Sequence, residues 1–348
     1  MNFKGVSDKY KINSFDYLIL GVDIGATNTR SGIFGINDGK LKLLCYSKAR
    51  SGKLISLISL INWAVDYAEK NFKFSLKKAC IGIAGIVSKE RNYAEMTNLN
   101  LKLNKRFLLK NTKLKEILLV NDFEAIGYGI NILPSDSLIP IKKSDKIAKA
   151  PAVVIGAGTG LGKTALLYNS ELRCYIPMPS EAGHSDFAAQ TKEEIELINF
   201  IKRREKVQNV SYEDVLSGKG LSRIYAFLNS KGLKSAAYAK EINKAKSKPE
   251  LISKYRKIDA TCKKTFELFA QAYAKFARNC AIDAMPYGGI YIAGGIAPKN
   301  IGIFNKNFVK TFEDNKKMKD VLRKIPIYMI SNENAGLLGA AFAGVKLK

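Results

Sequence analysis

The first residues able to do chemistry lie in a run that begins at Asp23 and reads Asp-Ile-Gly-Ala-Thr-Asn-Thr-Arg. Apolar residues precede and follow it, which predicts the turn of a β-hairpin. Phosphate oxygens can bind in such a turn, because glycine permits a close backbone approach and polar side chains offer donors. The candidate phosphate-binding residues are Gly25, Ala26, Thr27 and Asn28. Asp23 is placed to bind Mg²⁺ through water, although an ordinary hairpin turn explains this segment equally well.

A second glycine-rich turn follows the same logic in the second half of the chain. The sequence from Gly156 to Gly162 contains four glycines in seven residues and lies between two apolar segments. It lacks the Gly-Lys-Ser/Thr ending of a P-loop and the strand-to-helix context of a dinucleotide fingerprint. Gly158, Thr159 and Gly160 are therefore candidates for holding phosphate from a second side.

Three polar segments are weak signals when taken singly. Asn121 and Asp122 end an apolar segment, where Asn-Asp more often caps a helix. His184 is the only histidine and follows Glu181 in a Glu-Ala-Gly-His loop. A lone histidine is more often structural, but one beside a carboxylate can bind a polyol. Glu213 alone is typical of an acidic residue in the first turn of a helix.

The elements that must position these residues follow a repeated order of strand, hairpin, helix and strand. The pattern predicts helices over 54–69, 123–130 and 335–343, with mostly helical structure over 193–284. The predicted strands cover 17–21, 31–36, 79–84, 116–120, 152–155, 163–167, 289–293 and 325–330. Asn121 and Asp122 then lie at the C-terminal end of a strand, where ligands collect in α/β sheets.

Composition limits the class of protein. The 348 residues favour two lobes, and 47% hydrophobic with 25% charged residues indicates a globular chain. No apolar run is long enough to cross a bilayer, and the leader lacks a signal-peptide core, which predicts a cytoplasmic protein without a membrane partner. Five scattered cysteines predict neither disulfides nor a zinc site.

The net charge of +26 raises the question of nucleic acid. Only 11 of the 57 basic residues are arginine, the lysines are dispersed, and interleaved aromatic residues are missing. We therefore expect a solvated lysine coat and no specific nucleic-acid partner.

Taken together, the motifs resemble the bacterial-type glucokinases of the actin-like ATPase superfamily, over about residues 17 to 344. Seven motifs occur in the family's order: 23–30, 121–123, 156–162, 181–187, 210–218, 288–298 and 334–339. The resemblance implies an α/β, two-lobed actin-like ATPase (ribonuclease H-like) fold with an interdomain active-site cleft. The expected domains are a small lobe of residues 16–132 plus 334–348 and a large lobe of residues 133–333.

The resemblance also implies residue roles and ligands. Asp122 becomes the general base that activates the 6-hydroxyl of glucose, and Gly294 and Gly295 lie near the nucleotide. The residues implied to hold the sugar are Asn98, Asn121, Asp122, Glu181, His184 and Glu213. The implied ligands are ATP, Mg²⁺ and glucose, and the implied assembly is a homodimer. Ala26 departs from the family, since many relatives have glycine there.

Three other functions remain open from the sequence. A kinase for another hexose or an amino sugar shares the Glu-x-Gly-His motif, but the relatives of that group usually carry a cysteine-rich zinc site. A non-catalytic sugar-sensing regulator adds an N-terminal helix-turn-helix, and about 16 residues before the first strand are too few for one. An Hsp70-like ATPase needs a peptide-binding domain, for which the chain has no room.

Overall fold

The structure is a computed structural model that describes residues 4–5, 15–53, 56–96, 101–233 and 238–347. The chain divides into two compact units. The first comprises Met1–Ser137, Leu166–Pro179 and Asn332–Lys348, and the second comprises Leu138–Ala165 and Ser180–Ser331. The domain bounds expected from the sequence placed residues 166–179 in the large lobe, whereas here Leu166–Pro179 belongs to the first unit. The expected bounds of the two lobes stay a prediction.

The described residues form fifteen strands and twelve α-helices. The strands are β1 (Lys4–Gly5), β2 (Tyr17–Ile24), β3 (Asn28–Asn37), β4 (Lys40–Arg50), β5 (Leu76–Ile83), β6 (Ile86–Val87), β7 (Tyr93–Met96), β8 (Leu101–Asn104), β9 (Glu116–Asn121), β10 (Leu138–Lys142), β11 (Ala152–Ala157), β12 (Leu161–Asn169), β13 (Cys174–Met178), β14 (Ile290–Ala293) and β15 (Ile327–Ile330). The helices are α1 (Leu57–Phe72), α2 (Lys105–Lys110), α3 (Asp122–Gly129), α4 (Lys192–Glu205), α5 (Tyr212–Val215), α6 (Gly218–Ser230), α7 (Ala239–Lys244), α8 (Lys248–Tyr255), α9 (Ala260–Ala284), α10 (Lys306–Glu313), α11 (Lys319–Arg323) and α12 (Ala335–Lys346). The strands and helices predicted from apolar patterning are thereby confirmed, with ends that shift by a few residues.

The first unit is built on a six-stranded sheet in the order β1-β4-β3-β2-β5-β9. Strands β2, β3 and β4 are antiparallel, whereas β5 and β9 run parallel to β2. Six of the eight residues of β2 and six of the eight residues of β5 are buried, as expected of parallel strands covered on two faces. The sheet therefore brings the C-terminal ends of β2, β5 and β9 to one edge.

Helices α3 and α12 pack closely within the first unit. A Cβ atom added to Gly339 of α12 would lie 1.7 Å from Ala125 O of α3, and one added to Gly129 would lie 2.5 Å from Ala335 O. The two backbones therefore approach to a distance that side chains would prevent. This contact holds the helix that follows β9 against the helix that begins near Asn334.

The second unit has its own sheet and a separate apolar core. Within this unit the strand order is β10-β15-β14-β11-β12, with β11, β14 and β15 parallel. Helix α9 is 25 residues long and buries residues such as Phe269, Tyr273 and Phe276 in that core. Its start is capped by Asp259, whose Oδ1 accepts from Cys262 N at 2.8 Å. The long helix thus shares an apolar core with β11, the strand that ends at the second glycine turn.

Charged side chains with little exposure fix helix ends in the second unit. Lys275 Nζ lies 2.6 and 2.7 Å from the two carboxylate oxygens of Glu194, which also accepts from Thr191 N at the start of α4. Arg278 donates to the carbonyl oxygens of Thr311 and Asp314 at the end of α10. These charges are satisfied by structural partners, as buried charges require.

Candidate active site

The first candidate turn joins β2 to β3 in the first unit. Gly25 N donates to Asn28 O at 3.0 Å, which closes the turn, with Ala26 between them. Ser51 fixes the turn from one side, because its N donates to Thr27 O at 2.9 Å and its Oγ donates to Gly25 O at 2.6 Å. The Thr27 residue is exposed at the tip. The predicted hairpin turn is confirmed, and its backbone is held in one conformation.

Asp23 lies near the end of β2, with a side chain that is 13% exposed. Burial raises the pKa of its carboxyl to about 6, against the opposing effect of the Arg30 guanidinium at 3.8 Å. Glu333 Oε2 accepts from Arg30 Nη2 at 3.1 Å and from Lys48 Nζ at 3.0 Å. A Cβ on Gly336 would lie 2.9 Å from Asp23 Oδ2. The carboxylate therefore lies against the first turn of α12.

The corner between β9 and α3 positions Asn121 and Asp122. Asn121 is the N-cap of α3: its Oδ1 accepts from Phe123 N at 2.8 Å, and its Nδ2 donates to Gly85 O at 3.0 Å. The capping interpretation is therefore correct for Asn121. Asp122 is the first residue of α3, is half-buried, and accepts from Phe123 N at 3.1 Å. Its carboxylate lies where a helix N-terminus favours negative charge.

A buried ion pair beneath this corner was missed by sequence reasoning. Glu124 has a side chain that is 3% exposed, and its Oε1 lies 2.7 Å from Arg91 Nη2. Its Oε2 accepts from Asn121 N at 2.9 Å, and Arg91 also donates to Leu119 O at 3.1 Å. The Asn-x-x-Glu spacing of a capping box could have identified Glu124, whereas nothing in the sequence points to Arg91 as its partner.

The second candidate turn joins β11 to β12 in the second unit. Gly158 N donates to Gly160 O at 2.8 Å, and Gly158 O accepts from Gly218 N at 2.9 Å. Glu213 Oε2 accepts from Leu161 N at 2.8 Å, directly after the turn. Thr159 is exposed at the tip. The turn is therefore held by the segment that contains α5 and the start of α6.

The loop at Gly294 and Gly295 lies beside this second turn. Gly294 has φ +86, and a Cβ there would lie 2.4 Å from Ala157 O, so only glycine fits without displacement. Gly295 N is 3.9 Å from the position of a Cβ on Gly158. The structure thus brings these two glycines and the Gly158 turn together within one unit.

His184 ends a short 3₁₀ segment, Ala182–His184, in the second unit, and Glu181 directly precedes that segment. The side chains of Glu181 and His184 are 67% and 62% exposed, with Glu181 Oε2 and His184 Nε2 separated by 3.8 Å. Ser185 O accepts from Tyr212 N at 2.9 Å, which ties this segment to the start of α5 and hence to the chain around Glu213.

The predicted site residues fall into two sets. The first unit holds Asp23, the turn over 25–28, Asn121 and Asp122. The second unit holds Gly158–Gly160, the 181–184 loop, Glu213 and Gly294-Gly295. Asn98 lies outside the described residues.

Among the described residues the five cysteines form no disulfide, and the His, Cys, Asp and Glu side chains form no metal-binding cluster. All five cysteines are buried free thiols, and burial raises the pKa of Cys45 and of Cys280 to about 12. Among the described residues no group of three His, Cys, Asp or Glu residues could hold a metal ion. No helix of the described chain is both long and apolar enough to span a membrane.

Solved structures of known proteins have a similar fold. A crystal structure of glucokinase from Balamuthia mandrillaris in complex with glucose matches with a TM-score of 0.78, 22% identity, and coverage of 94% of this chain and 93% of that one. A glucokinase of the ROK family from Streptomyces griseus, in complex with glucose and AMPPNP, matches with a TM-score of 0.64, 19% identity, and coverage of 94% and 99%. These likenesses establish the fold as the α/β fold of the actin-like ATPases, as expected.

The sequence places the chain more narrowly. The family model for glucokinase matches residues 20–346. A glucokinase from Nostoc sp. is 34% identical over 346 residues, which cover 95% of this chain and 99% of the relative. The chain belongs to the glucokinase family.

Proposed function

We propose that this chain transfers the γ-phosphoryl group of ATP to the 6-hydroxyl of glucose. The family match over residues 20–346 supports the reaction, as do the names of relatives that span nearly the whole chain. ATP as donor is supported by the structural neighbour that holds AMPPNP together with glucose. The residue assignment depends above all on one observation, the placement of Asp122 directly after a buried parallel strand.

Asp122 is proposed to be the general base. The attacking hydroxyl must lose its proton as the new P–O bond forms, and a carboxylate within hydrogen-bond reach can accept it. Asp122 lies in the first turn of α3, where the helix N-terminal N–H groups favour a negatively charged side chain. The cap by Asn121 and the buried Glu124–Arg91 pair fix the backbone that carries Asp122. A fixed base lowers the barrier by alignment, which is most of what phosphoryl transfer needs.

The sugar hydroxyls are proposed to bind Asn121, Glu181, His184 and Glu213. Asn121 keeps one amide hydrogen after its bond to Gly85 O. The exposed side chains of Glu181 and His184 can turn toward a ligand without loss of a buried contact. Asn98 stays a prediction, since it lies outside the described residues.

The nucleotide phosphates are proposed to bind the two turns, at residues 25–28 and 158–160, with Gly294 and Gly295 beside the second. Backbone N–H groups in tight glycine turns can cradle anions.

Mg²⁺ fits the first turn through Asp23. In enzymes that act on nucleotide phosphates, Mg²⁺ is usually bound by one or two carboxylates together with the substrate phosphates. The ion keeps several of its water molecules. Burial raises the pKa of the Asp23 carboxyl to about 6, and a bound cation would favour its ionised form. The ion would supply charge neutralisation for the phosphates, while Arg30 and the first turn of α12 keep the carboxylate in place.

A coupled assay of ADP release against a panel of hexoses and amino sugars tests the proposal. We expect glucose to give the highest kcat/KM. A higher value for another sugar would replace glucose by that substrate, and no ADP release with any sugar, despite sugar binding, would support a non-catalytic sensor. Size measurement in solution tests the proposed homodimer.

A further inference from the structure

Glu213 has contacts that a sugar ligand does not need. It lies in the one-turn helix α5, whose start is fixed by a capping box: Ser211 Oγ accepts from Asp214 N at 3.3 Å, and Asp214 Oδ2 accepts from Ser211 N at 2.8 Å. Tyr212 is 3% exposed and accepts through its hydroxyl from Asn279 Nδ2 at 2.7 Å. The backbone around Glu213 is therefore anchored, and the direction of its carboxylate is set by what it contacts.

One carboxylate oxygen of Glu213 is bound to the second glycine turn. Its Oε2 accepts from Leu161 N at 2.8 Å. A Cβ on Gly160 would lie 2.5 Å from the same oxygen, so the turn leaves room for the carboxylate only because residue 160 is glycine. Glycine at position 160 thus permits the Glu213 side chain to come close to the turn, in addition to the close approach of a phosphate that is proposed above.

The same segment holds the turn at a second point. Gly218 N, five residues after Glu213, donates to Gly158 O at 2.9 Å. The two bonds secure the turn at its first residue and at the residue that follows it. The bond from Gly218 is backbone to backbone, whereas the bond to Leu161 N depends on a side chain whose geometry a ligand can change.

The other oxygen, Glu213 Oε1, accepts no hydrogen bond from the residues that the structure describes. It can accept from a sugar hydroxyl while Oε2 keeps Leu161 N. A hydroxyl on Oε1 would then restrict the carboxylate to the orientation that holds the turn. Conversely, a phosphate bound at the turn would order the turn. The Glu213 carboxylate would then be held in the orientation that presents Oε1 to a sugar hydroxyl.

We propose that Glu213 is a positioning residue for the Gly158–Gly160 turn and that it thereby couples sugar binding to nucleotide binding. The inference rests on the proposed function for the identity of the two ligands. By linkage, the sugar tightens the nucleotide by the same factor as the nucleotide tightens the sugar. A coupling of about fivefold or more is typical of such pairs of sites.

The test is the dissociation constant of AMPPNP with Mg²⁺, measured by calorimetry on the full chain with and without saturating glucose. We expect glucose to lower this constant about fivefold or more in the wild type. In Glu213→Ala the constant without glucose should rise about tenfold, as expected for loss of a hydrogen bond to a charged group, and glucose should no longer change it. In Glu213→Gln the amide oxygen can still accept from Leu161 N, so the constant without glucose should stay within about twofold of the wild type.

Gly160→Ala provides a second route that leaves Glu213 in place. The added Cβ must displace the carboxylate, so AMPPNP binding should weaken and the effect of glucose should fall. Gly302→Ala is the matched control, since a Cβ there meets no atom within 4 Å. Circular dichroism and thermal unfolding confirm that each variant is folded.

The inference is overturned if folded Glu213→Ala or Gly160→Ala binds AMPPNP with the wild-type constant and the wild-type response to glucose. It is also overturned if Glu213→Gln weakens AMPPNP as much as Glu213→Ala does. The proposed function fails separately, if the wild type shows the binding pattern above but transfers no phosphoryl group to glucose.

Discussion

Replacement of Asp122 by Asn tests whether this residue acts as a general base or only begins helix α3. Asn has nearly the shape of Asp and can keep the bond that Phe123 N donates to the side chain at position 122. The cap of α3 is supplied by Asn121, and the Glu124–Arg91 pair is untouched. We therefore expect the fold and the affinity for glucose to be preserved.

The rate should change far more than the stability. Loss of a general base costs on the order of 10² to 10⁴ in kcat, or about 3 to 5 kcal/mol of barrier at 1.36 kcal/mol per tenfold. Loss of one negative charge in the first turn of a helix costs only about 0.3 to 1 kcal/mol of folding stability. The two effects differ enough to be told apart in one pair of measurements.

The assay is steady-state kcat and KM for glucose, with urea unfolding of the same preparations. Asp320→Asn is the matched control, because Asp320 also lies in the first turn of a helix, α11, and is 91% exposed. It should leave kcat unchanged. Retention of more than about a tenth of wild-type kcat by Asp122→Asn would refute the assignment, since that loss is smaller than removal of a base produces.

Four further outcomes are expected. His184→Ala should raise KM for glucose with a smaller effect on kcat, because the proposed contact of His184 with a sugar hydroxyl is made in the ground state and the transition state alike. A loss confined to kcat would contradict this. Arg91→Met should lower the free energy of unfolding by about 1 to 3 kcal/mol, below the value for a fully buried pair because the Arg91 side chain is 29% exposed, and denaturant unfolding measures it. Burial alone would raise the pKa of the Glu194 carboxyl, but the Lys275 ammonium and backbone donors outweigh it and lower the pKa below 4.5. The stability that this carboxylate contributes is thus complete above pH 4.5 and is lost as the pH falls through the lower, folded value, so the difference in unfolding free energy between wild type and Glu194→Gln should shrink with acidification. Binding to DNA should be weak and salt-sensitive, and nanomolar binding at physiological salt, measured by fluorescence anisotropy, would show that the charge of +26 has a specific partner.

Sequence patterning predicted the main strands from their apolar runs, and the two turns from the glycines that follow β2 and β11. It did not predict the small sheet of β6, β7 and β8, whose two- to four-residue strands carry too little pattern. The Glu124–Arg91 pair joins residues 33 apart in the chain, and the bond between Glu213 and Leu161 joins residues 52 apart. Such pairings depend on three-dimensional packing, which spacing along one sequence does not reveal. Family resemblance, and no local pattern, linked Glu213 to the site.

The close contact of α3 with α12 has a consequence for synthesis of the protein. About 200 residues separate the two helices in sequence, so their contact closes a long loop and can form only after α12 has been synthesised. During translation, the face of α3 around Ala125 and Gly129 stays uncovered until residues beyond 335 have left the ribosome. A nascent chain stalled after Ser331 would contain all of the second unit and lack one helix of the first. Such a chain could fold in part, yet Asp122 would lie on a helix without its packing partner.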